Sequence, residues 1–100
     1  MPRPEQVNET IQRALNEILL RELEHDPGVL CTITRVEVAR DHKSAQVFFQ
    51  VFPESATGPL HSQLNHKRHF FGVLLRDHVR GGTMPELTFI RESVTTEIVE

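Results

Sequence analysis

Residues 60–82 gather four cations, Lys67, Arg68, Arg76 and Arg80, and four histidines, His61, His66, His69 and His78, against the single carboxylate of Asp77. A local excess of +3 is the chemistry of polyanion binding, in which cations displace counterions condensed on phosphates. On a continuous helix, with about 100° between residues, Asn65, His69, Arg76 and Arg80 would share one side, away from Leu60, Leu64, Phe71 and Leu75. Cationic tips on such a ridge suit phosphate contacts, which orient a protein without reading sequence. An ordinary solvated helix face is the plainer account of the same residues.

The whole chain is anionic. Eleven Lys and Arg stand against fourteen Asp and Glu, a net charge of -3. A partner feels the local field rather than the total. Residues 5–26 carry Arg13 and Arg21 against Glu5, Glu9, Glu17, Glu22, Glu24 and Asp26, a balance of -4, so the molecule is polarised.

Other chemistries find less support. Cys31 is the lone cysteine, which excludes an internal disulfide and a multi-cysteine zinc site. At the start of an apolar strand it reads as a packed thiol rather than a nucleophile, which would need a base and a cleft that lowers its pKa. His66 and His69 stand three apart, but no flanking carboxylate completes the three protein ligands of a catalytic zinc, and no metal site is expected. Neither G-x-G-x-x-G nor G-x-x-x-x-G-K-[ST] occurs, so no nucleotide cofactor is expected. Asp41 reads as a turn organiser, and no catalytic residues are assigned. Phe48 and Phe52 are open to base stacking or to packing.

These side chains need a scaffold. One hundred residues, 38% apolar and 25% charged, suit a single domain over 1–100. No apolar run approaches the ~20 residues of a membrane span, and Met1–Gln6 lacks the layout of a secretory signal. The expectation is a cytoplasmic protein with no membrane partner.

Residues 5–25 read as a helix, with Val7, Ile11, Ala14, Leu15, Ile18 and Leu23 on one stripe and Asp26-Pro27-Gly28 as its stop. Residues 30–40 are β-branched and alternating. Their alternation slips between Ile33 and Val36, which predicts a β-bulge. A turn at Asp41-His42-Lys43 leads into a second, antiparallel strand over 44–53, with Ala45, Val47, Phe49 and Val51 on one face and Phe48 and Phe52 on the other. Residues 53–59 read as a loop. Helical spacing returns over 60–80, where Lys67 and Arg68 interrupt the apolar stripe. A break near 65–69 with a restart at Phe70 is expected. Pro85–Ile90 begins a third strand that runs on into 91–100 and frays. The order predicts an α+β unit, a three-stranded sheet with helices packed on one face.

Five short motifs, in order, carry a resemblance to a known family. They are the opening amphipathic helix, the Asp26-Pro27 that closes it, Thr32-Ile33-Thr34-x-Val36-x-Val38, Asp41-x-x-x-Ala45-x-Val47, and Pro85-Glu86-Leu87-x-Phe89 leading into the last strand. Together they make the chain similar to the ribosome-binding factor A family. The resemblance implies a KH-like fold of type II topology, α-β-β-α-kink-α-β. In that family an alanine-x-glycine kink replaces the usual G-x-x-G loop. The matching positions here are Lys67-Arg68-His69, which keep neither pattern and add positive charge, and Glu92 stands where aspartate is common.

The resemblance also implies a role: noncatalytic binding of the immature small (30S) ribosomal subunit and its 16S rRNA, support for late maturation and growth in the cold, and release with help from an assembly GTPase. The expected RNA-binding residues are His66, Lys67, Arg68, His69, Arg76 and Arg80, joined by Arg3, Arg40 and Lys43, on a monomer. A KH-like protein-interaction module without direct rRNA contact is the alternative, and a small metal- or nucleotide-dependent enzyme the third reading. Histidines take up protons under mildly acidic conditions, so RNA affinity is expected to rise as pH falls.

Overall fold

A computed structural model of the chain describes residues 4–23, 26–78 and 85–92, with side chains from residue 7 onward. Helix α1 (Pro4–Glu22) is followed by strands β1 (Leu30–Val38) and β2 (Ser44–Phe52), helices α2 (Thr57–His66) and α3 (Arg68–Leu75), and strand β3 (Glu86–Arg91). The sheet order is β1-β2-β3. β1 and β2 are antiparallel, whereas β3 runs parallel to β2. A parallel neighbour needs a long crossover, and α2 with α3 supplies it.

Of the stripe expected on α1, Ile11, Ala14, Leu15 and Ile18 are buried and Val7 is half-buried; Leu23, just past the helix end, is buried too, and Leu19 joins them although it lies outside that stripe. From the sheet, Ile33, Val36, Ala45, Val47, Phe49, Leu87 and Phe89 meet Leu60 and Leu64 of α2 and Phe71 and Leu75 of α3. Each large side chain removed from water in this way contributes about 1.5–3 kcal/mol. Phe71 and Phe89 pack edge-on with centroids 6.2 Å apart, an arrangement that places positive ring edges against a negative face.

The expected bulge is present. Pairing passes from Ile33 opposite Phe49 to Arg35 opposite Phe48, leaving Thr34 as the extra residue. One inserted residue exchanges the faces, so Ile33 and Val36 are both buried although three apart. Asp41 organises the hairpin turn, its Oδ1 accepting the Lys43 N–H at 3.0 Å, while His42 takes a left-handed φ of 61°.

Several boundaries differ from expectation. α1 closes at Glu22 rather than 25, and the Lys67 Nζ caps this end by donating to the Glu22 carbonyl at 2.9 Å, where a cation suits the helix C-terminus. β1 ends at Val38, since Ala39 and Arg40 belong to the turn that the Ala39 N–H closes onto the Ser44 carbonyl at 2.9 Å. β2 stops at Phe52, before Pro53, which has no N–H to give a ladder. The expected loop 53–59 is instead a 3-10 turn over Glu54–Ala56 and the first turn of α2. Pro59 fits that first turn, where a missing N–H costs nothing. The break at Lys67 is real, but α3 restarts at Arg68, two residues before Phe70. β3 includes Arg91, and the continuation through 93–100 lies outside the described residues.

The three amides of Asn8, Gln12 and Asn16, spaced one helical turn apart on α1, lie along the outer edge of β1. Asn8 Oδ1 accepts the Val38 N–H at 3.2 Å. Gln12 Nε2 donates to the carbonyls of Ile33 and Thr34 at 3.2 and 3.1 Å. An edge strand offers unpaired N–H and C=O groups to any passing strand, and α1 occupies this one with side chains. Among the described residues, no helix is long and apolar enough to cross a membrane.

Candidate nucleic-acid interface

The hairpin turn and the start of β3 are tied together by one hydrogen bond, from the Glu86 N–H to the Lys43 carbonyl at 2.8 Å. This brings Lys43 beside the crossover helices. Across from it stand Arg68 and His69, the first two residues of α3 after the break at Lys67. Between them lies an open groove of about 440 Å³. Gly72, one turn further along α3, adds no side chain to fill it, and Pro85, Glu86 and Leu87 form its other wall.

Three residues expected to bind RNA, from two distant stretches of sequence, therefore share one concave site. Glu86 stands in the facing wall, but no ion pair engages the three among the described residues. The ion pairs among the described residues are Arg35 with Glu37, Arg35 with Glu92, and Arg91 with Glu54. None involves Lys43, Arg68, His69, Arg40 or Arg76. The pairs that do form lie on β1 and β3 and at the turn before α2. Arg35 also stacks on Phe48, its guanidinium carbon 3.8 Å from the ring centroid, which covers that face of the ring. Phe52, on the same side of the sheet, is 70% exposed.

The remaining expected residues are placed as follows. Lys67 is half-buried, and its ammonium donates to the Glu22 carbonyl at 2.9 Å. His66 is exposed at the last position of α2, and Arg40 is exposed in the hairpin turn. Arg76 is exposed in a 3-10 turn, Arg76–His78, that continues α3. At 1.5 Å per residue it lies about 12 Å along the axis from Arg68. Arg3 and Arg80 lie outside the described residues. The ridge expected of a continuous helix is divided, because the break at Lys67 separates Asn65 from His69 and Arg76.

Other candidate groups have structural partners. His61 Nε2 lies 3.0 Å from the Phe89 carbonyl, and its ring meets Phe49 edge-on at 4.9 Å. Burial pushes the Cys31 thiol up to about 11, where it stays protonated at neutral pH. No three His, Cys, Asp or Glu side chains gather as a metal-holding group among the described residues. In the sequence, Pro85, Glu86 and Leu87 of the groove wall carry only the signal of a strand's beginning and of the family motif. The wall's closeness to Lys43 depends on the parallel pairing of Ser44 with Glu86, for which a single sequence carries no signal.

The family model described as ribosome-binding factor A matches residues 3–100. The chain belongs to that family. It is 35% identical over 102 residues to ribosome-binding factor A of Thiobacillus denitrificans, a match covering 89% of this chain and 73% of the relative. It is 31% identical to that of Chromobacterium violaceum, covering 88% and 64%. The chain thus spans roughly two-thirds to three-quarters of these relatives' lengths. The fold matches the crystal structure of ribosome-binding factor A from Thermus thermophilus with a TM-score of 0.76 at 22% identity, over 90% of this chain and 97% of that one. Coordinates of the Thermus thermophilus factor fitted into a cryo-EM map of a 30S complex match with a TM-score of 0.70 at 23% identity, over 87% and 92%. Within this ribosome-binding factor A fold, the kink between α2 and α3 is built on a lysine anchored to α1, and the groove residues Arg68 and His69 follow it directly.

Proposed function

We propose that the chain is a noncatalytic assembly factor. It binds the immature small ribosomal subunit through 16S rRNA, supports late maturation and growth in the cold, acts as a cytoplasmic monomer, and leaves with help from an assembly GTPase. Family membership supports the reading. So does the 30S complex of the Thermus thermophilus relative. The observation that carries it is the convergence of Lys43, Arg68 and His69 on one groove, with no ion pair to any of them among the described residues.

Such a site contributes affinity by releasing counterions from phosphates. An rRNA conformation that presents phosphates to the groove is bound better than one that does not, and this difference shifts the population without making a bond. The test is charge reversal at Lys43→Glu with Arg68→Glu. Co-sedimentation with free small subunits on a sucrose gradient should be lost while the melting curve stays intact. Unchanged co-sedimentation of a folded variant refutes the placement.

One observation favours the protein-interaction reading. Leu30 and Phe52 face each other across β1 and β2 and are 64% and 70% exposed, an apolar pair away from the cationic groove. Retained subunit binding by the charge-reversed variant, together with its loss in Leu30→Ser with Phe52→Ser, would select that reading.

A further inference from the structure

Lys67 and Arg68 are adjacent cations whose surroundings differ. Every polar group of Lys67 that can hold the junction is in use. Its N–H bonds the Gln63 carbonyl at 3.0 Å, and its carbonyl accepts the Phe71 N–H at 3.0 Å. Its Nζ reaches the Glu22 carbonyl in the last turn of α1 at 2.9 Å. Its backbone sits at φ -98° and ψ 7°, the bend that ends α2 and starts α3. Arg68, the next residue, is exposed, lines the groove and has no ion pair among the described residues.

We infer that Lys67 is a positioning residue for RNA binding rather than an RNA contact. It fastens the α2–α3 junction to the end of α1, and so holds Arg68 and His69 opposite Lys43. The inference rests on the groove being the RNA site, and it divides labour between two neighbouring charges.

The physical basis is the free-energy cost of an unassembled site. A ligand that needs one arrangement binds with an affinity reduced by the fraction of molecules holding it. A cation at a helix C-terminus changes such an equilibrium by up to about fivefold. Losing the Lys67 tie should therefore weaken RNA by up to about fivefold through geometry alone. A phosphate contact behaves differently. Its loss also flattens the plot of log affinity against log salt, by about 0.7 per contact on single strands.

The experiment measures binding of single-stranded oligouridylate by the full chain across a salt series. The variants are Lys67→Met, Lys67→Arg, Arg68→Met and Lys43→Met, each checked for folding by its melting curve. Lys67→Met should bind up to about fivefold more weakly with an unchanged salt slope. Lys67→Arg, whose guanidinium also reaches a carbonyl, should restore affinity. Arg68→Met and Lys43→Met should each flatten the slope. A flattened slope in Lys67→Met makes Lys67 a phosphate contact and overturns the inference, and so does unchanged affinity. If Arg68→Met and Lys43→Met leave both affinity and slope unchanged, the groove reading fails first.

Should Lys67→Met not fold, amide hydrogen exchange of the wild-type protein replaces it. Oligouridylate should slow exchange at the α1 C-terminus through the Lys67 tie. Exchange there that does not respond to RNA overturns the inference.

Discussion

Asn16 and Ile33 exchange two hydrogen bonds: the Ile33 N–H donates to Asn16 Oδ1 at 2.9 Å, and Asn16 Nδ2 donates to the Ile33 carbonyl at 3.2 Å. A helix side chain thus takes the place that a further strand would occupy on the outer edge of β1. The pairing sits one residue before the bulge at Thr34, where the ladder to β2 is already disrupted. Helix, bulge and edge are consequently one structural unit.

Asn16→Leu keeps the helix but strands the Ile33 N–H, whereas the Ile33 carbonyl keeps its hydrogen bond from Gln12. An unsatisfied buried group costs about 1–3 kcal/mol, and the part-buried position argues for about 2 kcal/mol. Urea unfolding should show a lower midpoint at unchanged slope. The exposed edge should also promote self-association, visible by light scattering. A variant as stable and as monomeric as wild type would show that the pair is incidental.

The parts of this architecture legible in the sequence were those with local causes. The α1 stripe, the slip between Ile33 and Val36, and the interruption at Lys67-Arg68 all announced themselves within a few residues. What was not legible depended on partners far along the chain. Asn8, Gln12 and Asn16 were visibly one turn apart, but nothing nearby said that β1 would offer them an edge. Lys67 looked like one more cation of the basic stretch, because the carbonyl that takes its ammonium belongs to Glu22, 45 residues earlier. The groove had the same limit: Lys43 and Arg68 meet only once β3 pairs in parallel with β2.

Glu92 supplies a pH dependence of stability. A hydrogen bond from Arg35, then one from Thr34, holds its carboxyl below the ordinary glutamate range, against a weaker opposing effect of burial. The charged form is therefore favoured by folding. Its contribution is fully present above the unfolded carboxylate's value and is lost as pH falls through the lower folded value. The melting temperature of wild type should fall more steeply over that acidic window than that of Glu92→Gln. Parallel curves for the two proteins would remove Glu92 from the account.

Cys31 should be slow to react in the folded protein. With its thiol pushed up to about 11, against a free value of about 8.5, its thiolate fraction at pH 8 falls on the order of a hundredfold. Iodoacetamide labelling followed by mass spectrometry should show this protection, and denaturant should abolish it. Labelling at the rate of a free thiol would mean that the start of β1 opens readily.

Gly28 occupies a left-handed φ of 86° in the turn after α1, where an added Cβ would meet no atom within 4 Å. Space is therefore not the constraint, and backbone strain is. Gly28→Ala should cost about 1 kcal/mol, read by urea unfolding, and Gly28→Asn should cost less because asparagine tolerates this conformation. Equal stability of all three would mean that the turn relaxes freely.

Arg76 separates a compact groove from a broad basic ridge. It is exposed and unpaired among the described residues, like Arg68, but lies about 12 Å further along the helix axis. At physiological salt the screening length is about 8 Å, so a charge at that distance acts weakly on a phosphate held between Lys43 and Arg68. Arg76→Glu should therefore weaken oligouridylate binding much less than Arg68→Glu. The gap should narrow as salt is lowered and screening relaxes. Equal losses at physiological salt would mean that RNA lies along the whole of α3, and the interface would then be drawn over that helix rather than at its first turn.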